Sequence, residues 1–127
     1  MNPVASGEVF TLAIQGTIVG KHMTDFQIVL STCADREEAE RIAHRLVEQK
    51  LAACVNILPG VHSIYRWQGN VESAAEILIV IKTGASLVPE VQSTIANLHS
   101  YEVPELLVLP VAGGSEAYLG WLKASLR

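Results

Sequence analysis

The chain has 127 residues, 50% of them hydrophobic and 17% charged, with a formal net charge of -4. This length is enough for one domain with a hydrophobic core. Because the chain is acidic and its Lys and Arg residues are scattered, we do not expect it to bind nucleic acid. No apolar run approaches the roughly 20 residues that cross a bilayer, and no basic secretory start is present, so we expect a cytoplasmic protein. Cys33 and Cys54 lack C-x-x-C spacing, which indicates reduced thiols.

Residues 1–24 differ from the rest of the chain. The Gly-Lys-His-Met run that ends at Met23 is typical of a junction between an added leader and a native start. We therefore predict an N-terminal extension over 1–24 and a single domain over 25–127. The alternative is that VFTLAI and TIVG form an extra hairpin within the fold.

The domain begins with a predicted strand and a predicted helix. FQIVLST at 26–32 is a short run of strand-forming residues. Asp35 then provides a cap for a helix over 35–50, in which the apolar positions recur at helical spacing and the charged positions face water.

A long hairpin follows this helix. The second strand is predicted over 52–58, bends at a Pro-Gly because proline cannot donate to a ladder, and resumes over 61–68. A turn at Gly69-Asn70 leads to the third strand over 75–83. That strand is apolar without alternation, which indicates burial on both faces. One small domain cannot cover both faces, so we expect a homo-oligomer.

The second half repeats the order of helix and strand. We predict a helix after Gly84 with Ser86 as its cap, a fourth strand over 105–111, and a last helix capped by Ser115. The resulting order β-α-β-β-α-β with a terminal helix is that of the α+β ferredoxin-like sandwich.

Aromatic residues are few, yet the hairpin brings Tyr65, Arg66 and Trp67 together. Tyr, Trp and Arg are frequent anchors of protein interfaces, so this segment is interpreted as a contact with a neighbouring subunit. A ligand pocket is the alternative interpretation. The further residues expected at a subunit interface or cleft are Lys82, Tyr101 and Trp121.

The expected topology also predicts a candidate site. We expect strand one to lie between strands three and four, parallel to three and antiparallel to four. The ends of strands one and three would then share a sheet edge with the start of strand four. The reactive side chains expected there are Cys33, Lys82, His99, Tyr101, Glu102 and Glu105.

A thiol and an imidazole at one edge suit copper or zinc. The predicted metal donors are His99, Cys33, Glu102 and Glu105. Each donor also has a structural interpretation: Cys33 could be a small buried hydrophobe, and His99 could provide a favourable charge at a helix end. No metal is expected to be obligatory, because H-x-H, H-E-x-x-H and C-x-x-C are missing from the sequence.

Four segments in order resemble the CutA family of divalent-cation-tolerance proteins. They are KLAACVNILPGVHSIYRWQGNVE, EILIVIKT, VPELLVLPV and the ending YLGWLKASLR. The resemblance covers about 26–127. It implies a ferredoxin-like subunit in a tight homotrimer, similar to PII-type signalling proteins, that responds to divalent metal ions.

The resemblance is incomplete at the family's proposed metal site. That site has a cysteine late in strand one and two adjacent histidines before a Tyr-x-x-Pro-Glu segment. Here the cysteine position aligns with Ser31, Cys33 follows two residues later, and the histidine pair reads Leu98-His99. We therefore expect weaker binding than at a site with three or four dedicated ligands.

The sequence is also compatible with two other functional classes. A PII-like signalling module would bind a small anionic ligand in clefts between subunits. An acylphosphatase shares the chain topology, and Arg36 lies near the required loop, but no glycine-rich phosphate cradle precedes it. The sequence therefore favours a metal-binding protein over an enzyme.

Overall fold

The computed structural model describes residues 24–127, which form one four-stranded sheet with three α-helices. The predicted leader therefore lies outside the described residues, apart from Thr24. The elements in chain order are β1 (Phe26–Cys33), α1 (Arg36–Glu48), β2 (Cys54–Trp67), β3 (Asn70–Gly84), a 3-10 turn (Ala85–Leu87), α2 (Val88–Leu98), β4 (Leu107–Pro110) and α3 (Glu116–Ser125).

The sheet has the order β2-β3-β1-β4, and every neighbouring pair is antiparallel. The predicted ferredoxin-like order is confirmed, but the prediction that β1 runs parallel to β3 was wrong. The crossover through α1 makes β2 parallel to β1, and the hairpin then reverses the chain, so β3 must be antiparallel. Cys33 accordingly pairs with Ile77, whereas Lys82 pairs with Ile28 near the opposite end of β1.

Local capping fixes where the helices start. Asp35 caps α1 as predicted, since its carboxylate accepts the Glu38 N–H at 2.8 Å. Ser115 caps α3 in the same way, accepting the Tyr118 N–H at 3.2 Å. The prediction of Ser86 as a cap was wrong, because that residue lies in the 3-10 turn that precedes α2.

The β2–β3 hairpin is longer than predicted. β2 continues through Pro59 with a bulge between Leu58 and Val61, which is the expected device for keeping proline in a ladder. At the tip, Gln68 and Gly69 have positive φ values of 49° and 84°. Two successive positive φ angles match the type I′ turn that joins tightly paired strands.

The core lies between the sheet and helices α1 and α2. Its fully buried members include Val29, Ile42, Leu46, Ile79, Ile81, Val91 and Ile95. Other apolar side chains are left open to solvent within the single subunit, among them Ile64 at 71% and Leu107 at 56% exposure. The oligomer inferred from two-sided burial of β3 stays a prediction.

Candidate functional site

The candidate site surrounds the end of β1, the start of α1 and the chain that follows α2. The helix ends at Leu98, and residues 99–105 then pass over this end of the sheet before β4 begins. His99 is the first of these residues, and its N–H donates to the Ile95 carbonyl at 2.9 Å. One segment therefore brings a histidine, a tyrosine and two glutamates to the edge where Cys33 ends β1.

The His99 imidazole is completely buried and both of its nitrogens are engaged. Nδ1 accepts the Tyr101 N–H at 3.0 Å, so the ring proton must lie on Nε2. Nε2 therefore donates to the Thr32 carbonyl at 2.7 Å. These two bonds hold a neutral imidazole in one orientation and tie the start of the 99–105 segment to the end of β1.

Glu38 lies in the first turn of α1 and is only 4% exposed. Its carboxylate accepts the backbone N–H of Ala34 at 3.1 Å and that of Ser100 at 2.8 Å. Burial alone would raise the pKa of Glu38, but hydrogen bonds from Ser100 and Ala34 outweigh burial and lower the pKa. Glu38 is therefore a buried anion that joins α1 to the 99–105 segment.

Cys33 completes a compact group with these two residues. It is completely buried, and burial followed by the negative charges of Glu38 and Asp35 raises its pKa to about 12. One ligand atom from each of Cys33, Glu38 and His99 lies within 4.8 Å of the others. We call these three residues the buried cluster.

Sequence reasoning missed Glu38, although a signal for it was present. Asp35-x-x-Glu38 has the spacing of a capping box, in which the acidic residue turns back to the backbone before the helix. Glu38 does turn back, to the Ala34 N–H, and this orientation directs its carboxylate toward His99, with 3.7 Å between Oε1 and Nδ1.

Residues 101–105 form part of the wall of a cleft of about 640 Å³. Three aromatic side chains contribute to its wall: Tyr65, Trp67 and Tyr101. Four carboxylates line the same space: Glu72, Glu76, Glu102 and Glu105. No basic residue lines this cleft in the part of the chain that the structure describes. We call it the acidic cleft.

Tyr101 contacts both the buried cluster and the acidic cleft. Its ring centroid lies 4.6 Å from that of His99, and its hydroxyl donates to Glu76 Oε2 at 2.7 Å. Desolvation and then the Glu76 hydrogen bond raise the pKa of Tyr101, so the phenol remains a donor at neutral pH. One residue thus contacts a member of each group.

The structure divides the four predicted metal donors between these two places. Cys33 and His99 converge in the buried cluster, as predicted. Glu102 and Glu105 are exposed and line the acidic cleft instead. Ser31 donates to the Glu105 carbonyl at 2.7 Å.

The residues expected at a cleft or interface are also divided. Tyr65 and Trp67 line the acidic cleft, while Arg66, on the alternate face of β2, donates to the Gly69 carbonyl at 3.4 Å. The expected place of Lys82 was wrong because β3 is antiparallel to β1: its ammonium lies at the other end of the sheet, 5.8 Å from the Tyr118 ring centroid. The ring centroids of Trp121 and Tyr118 lie 5.4 Å apart, with the two rings tilted by 41°.

Within 24–127, none of the helices combines the length and apolarity required to span a bilayer.

Comparison with known proteins identifies one family. Residues 27–125 match the model of the protein family described as "CutA1 divalent ion tolerance protein". A divalent-cation tolerance protein CutA from Thermus thermophilus is 47% identical over 97 residues, which are 76% of this chain and 94% of that protein. A chloroplastic protein CutA from Arabidopsis thaliana is 46% identical over 100 residues, 79% of this chain, but this chain spans only 55% of that protein's length.

Solved structures agree with the sequence comparison. The crystal structure of CutA from Xylella fastidiosa superposes with a TM-score of 0.80 at 40% sequence identity. The superposition covers 82% of this chain and 100% of that one.

Proposed function

This chain belongs to the CutA1 family of divalent ion tolerance proteins, and we propose that it binds zinc or copper through the buried cluster within a homotrimer. The observation that carries this proposal is the convergence of Cys33, Glu38 and His99, whose ligand atoms lie within 4.8 Å of one another. A thiol, a carboxylate and an imidazole form a donor set that suits zinc or copper and is foreign to magnesium or calcium. The residues therefore fit the class of ion in the family's name.

Binding at the buried cluster has an identifiable cost. Cys33 must lose a proton that its surroundings retain up to a pKa of about 12. His99 Nδ1 has one lone pair, so it must give up the Tyr101 N–H before it can coordinate an ion. We therefore expect affinity below that of a preformed site, and weaker binding as pH falls, because protons compete with the ion for its ligands.

The apolar side chains that a single subunit leaves exposed support the proposed homotrimer. The hairpin exposes Ile64 at 71% and Val71 at 65%, and the edge strand β4 exposes Leu107 at 56%. A long hairpin with exposed apolar residues and an unpaired apolar edge strand are features that soluble proteins usually cover by association.

The rival functions have less support. A small anion would meet four carboxylates and no basic side chain in the acidic cleft, as far as the structure describes its wall. Arg36, the arginine that an acylphosphatase mechanism would need, pairs with Glu40 at 3.3 Å on the surface of α1. A cytoplasmic location remains a prediction, since the relative from Arabidopsis thaliana is named as chloroplastic.

The two cysteines provide a matched test of the metal site. We expect zinc titrated calorimetrically under reducing conditions to bind Cys33→Ala at least about tenfold more weakly than the parent, since a ligand is lost. Cys54→Ala is the control, because Cys54 lies in β2, outside the buried cluster. Equal zinc affinity in the parent and both variants would contradict the proposed site.

A further inference from the structure

His99 is oriented as a metal ligand except at the atom that would bind the ion. A metal-binding histidine normally donates its other ring N–H to a carbonyl or carboxylate, which fixes the ring and its tautomer. Nε2 of His99 makes such a bond to the Thr32 carbonyl at 2.7 Å. Nδ1 is then the coordinating nitrogen, but its one lone pair accepts the Tyr101 N–H at 3.0 Å. An ion and this N–H therefore compete for the same atom.

The imidazole of His99 cannot release Nδ1 by a movement of its own without losing other contacts. The ring is completely buried, and rotation away from Tyr101 would break the bond from Nε2 to Thr32. The His99 N–H is also held by the Ile95 carbonyl at the end of α2. Tyr101 must therefore move before an ion can bind Nδ1.

The side chain of Tyr101 opposes that movement. Its hydroxyl donates to Glu76 Oε2 at 2.7 Å, which links the segment after α2 to a residue 25 positions earlier in the chain. Glu76 is only 9% exposed and belongs to β3, which pairs with β2 on one side and β1 on the other. A hydrogen bond to a carboxylate is also stronger than one between neutral groups. The hydroxyl therefore holds the Tyr101 backbone against the imidazole.

We propose that Tyr101 is an autoinhibitory residue, which keeps an ion out of the buried cluster until its hydrogen bond to Glu76 breaks. This proposal rests on the metal site proposed above and concerns the regulation of that site. A residue that only supports the fold would favour metal binding, because it would keep the ligands in place, whereas a competitor for Nδ1 disfavours metal binding. The two roles predict opposite changes in metal affinity when the hydroxyl is removed.

Tyr101→Phe removes the hydroxyl and keeps the ring. We expect zinc calorimetry on the full chain under reducing conditions to show about fivefold tighter binding than in the parent, since one net hydrogen bond that opposes the bound state is lost. Tyr118→Phe is the matched control, because its ring lies beside Lys82 at the other end of the sheet, and its zinc affinity should equal that of the parent. Equal or weaker zinc binding by Tyr101→Phe would overturn the proposal.

Hydrogen exchange on the metal-free chain tests the same contact without zinc. When the anchor is lost, the Tyr101 N–H should leave the imidazole more often, so exchange at residue 101 should be about fivefold faster in Tyr101→Phe than in the parent. Glu76→Gln weakens the contact from the other side and should have the same effect, even if Tyr101→Phe does not fold. Glu72→Gln, at an exposed position of the same strand, is the control. Exchange at Val29, in the core, should be the same in all variants.

The two measurements distinguish failure of the autoinhibitory contact from failure of the metal site. Unchanged exchange at residue 101 in both Tyr101→Phe and Glu76→Gln would refute the role of Tyr101, whether or not the chain binds zinc. Faster exchange in these variants, with no zinc binding by the parent, would refute the metal site and with it the regulatory role, while the anchoring contact itself would stand.

Discussion

The buried cluster and the acidic cleft both include contacts of Tyr101, and they use acidic side chains differently. In the buried cluster, Glu38 has backbone donors for both oxygens and stands beside a fixed imidazole. In the acidic cleft, Glu76 has one donor from the described chain, and Glu102 and Glu105 are exposed. The first arrangement joins α1 to the segment after α2, whereas the second leaves most of its negative charge facing solvent.

The two regions also share a segment, so they are not independent. His99, Ser100 and Tyr101 are held by the buried cluster through backbone hydrogen bonds, and the next residues form part of the cleft wall. A metal ion that takes Nδ1 from the Tyr101 N–H would loosen this connection. Metal binding at the buried cluster should therefore also disturb the wall of the acidic cleft.

The largest expected effect comes from neutralising the acidic residue of the buried cluster. In Glu38→Gln, an amide NH2 must face one of two backbone donors, which leaves a buried donor without an acceptor. We expect a loss of about 2 kcal/mol in the free energy of unfolding, measured with urea.

Glu40→Gln is the matched control for this loss, because it lies on the same helix and pairs only with Arg36 at the surface. It should change the unfolding free energy by less than about 0.5 kcal/mol. Similar losses in both variants would remove the distinction between a structural and a surface carboxylate.

A smaller effect is expected from pH. The pKa of Glu38 is lowered in the fold, so its stabilisation is fully present above the unfolded value of about 4.3 and is lost as pH falls through the folded value. In metal-free buffer, the stability gap between the parent and Glu38→Gln should narrow from pH 6 to pH 3. A constant gap over that range would show that Glu38 does not titrate in this way.

The smallest expected effect on the fold concerns assembly. Trp67→Ala removes an exposed ring from the hairpin and should lower the trimer fraction in native mass spectrometry at micromolar concentration, while subunits remain folded. His44→Ala, on the exposed face of α1, is the control. A parent chain that is monomeric under these conditions would contradict the proposed trimer.

Much of the fold could be predicted from sequence because strong local signals mark it. Asp35 and Ser115 mark the starts of two helices, and the Pro-Gly pair marks the bulge within β2; all three features appear in the structure. The direction of β3 required tracing the chain through the α1 crossover and the hairpin, and the wrong direction misplaced Lys82.

The candidate site could be predicted only in part, because residue type identifies possible ligands but does not show where each side chain points. Cys33 and His99 are donors by residue type, so sequence could nominate both. Glu38 resembles the other acidic residues of α1 until its side chain is seen to turn back to Ala34. Glu102 and Glu105 were placed at the correct edge, but only the path of the 99–105 segment shows that they line the acidic cleft.

The most direct test of the account is anomalous diffraction at the zinc edge from crystals grown with zinc. We predict a peak about 2.0–2.3 Å from Cys33 Sγ and His99 Nδ1, with the Tyr101 N–H displaced from the imidazole. A zinc peak bound only by Glu102 or Glu105, with both His99 hydrogen bonds intact, would contradict the assignment of metal binding to the buried cluster.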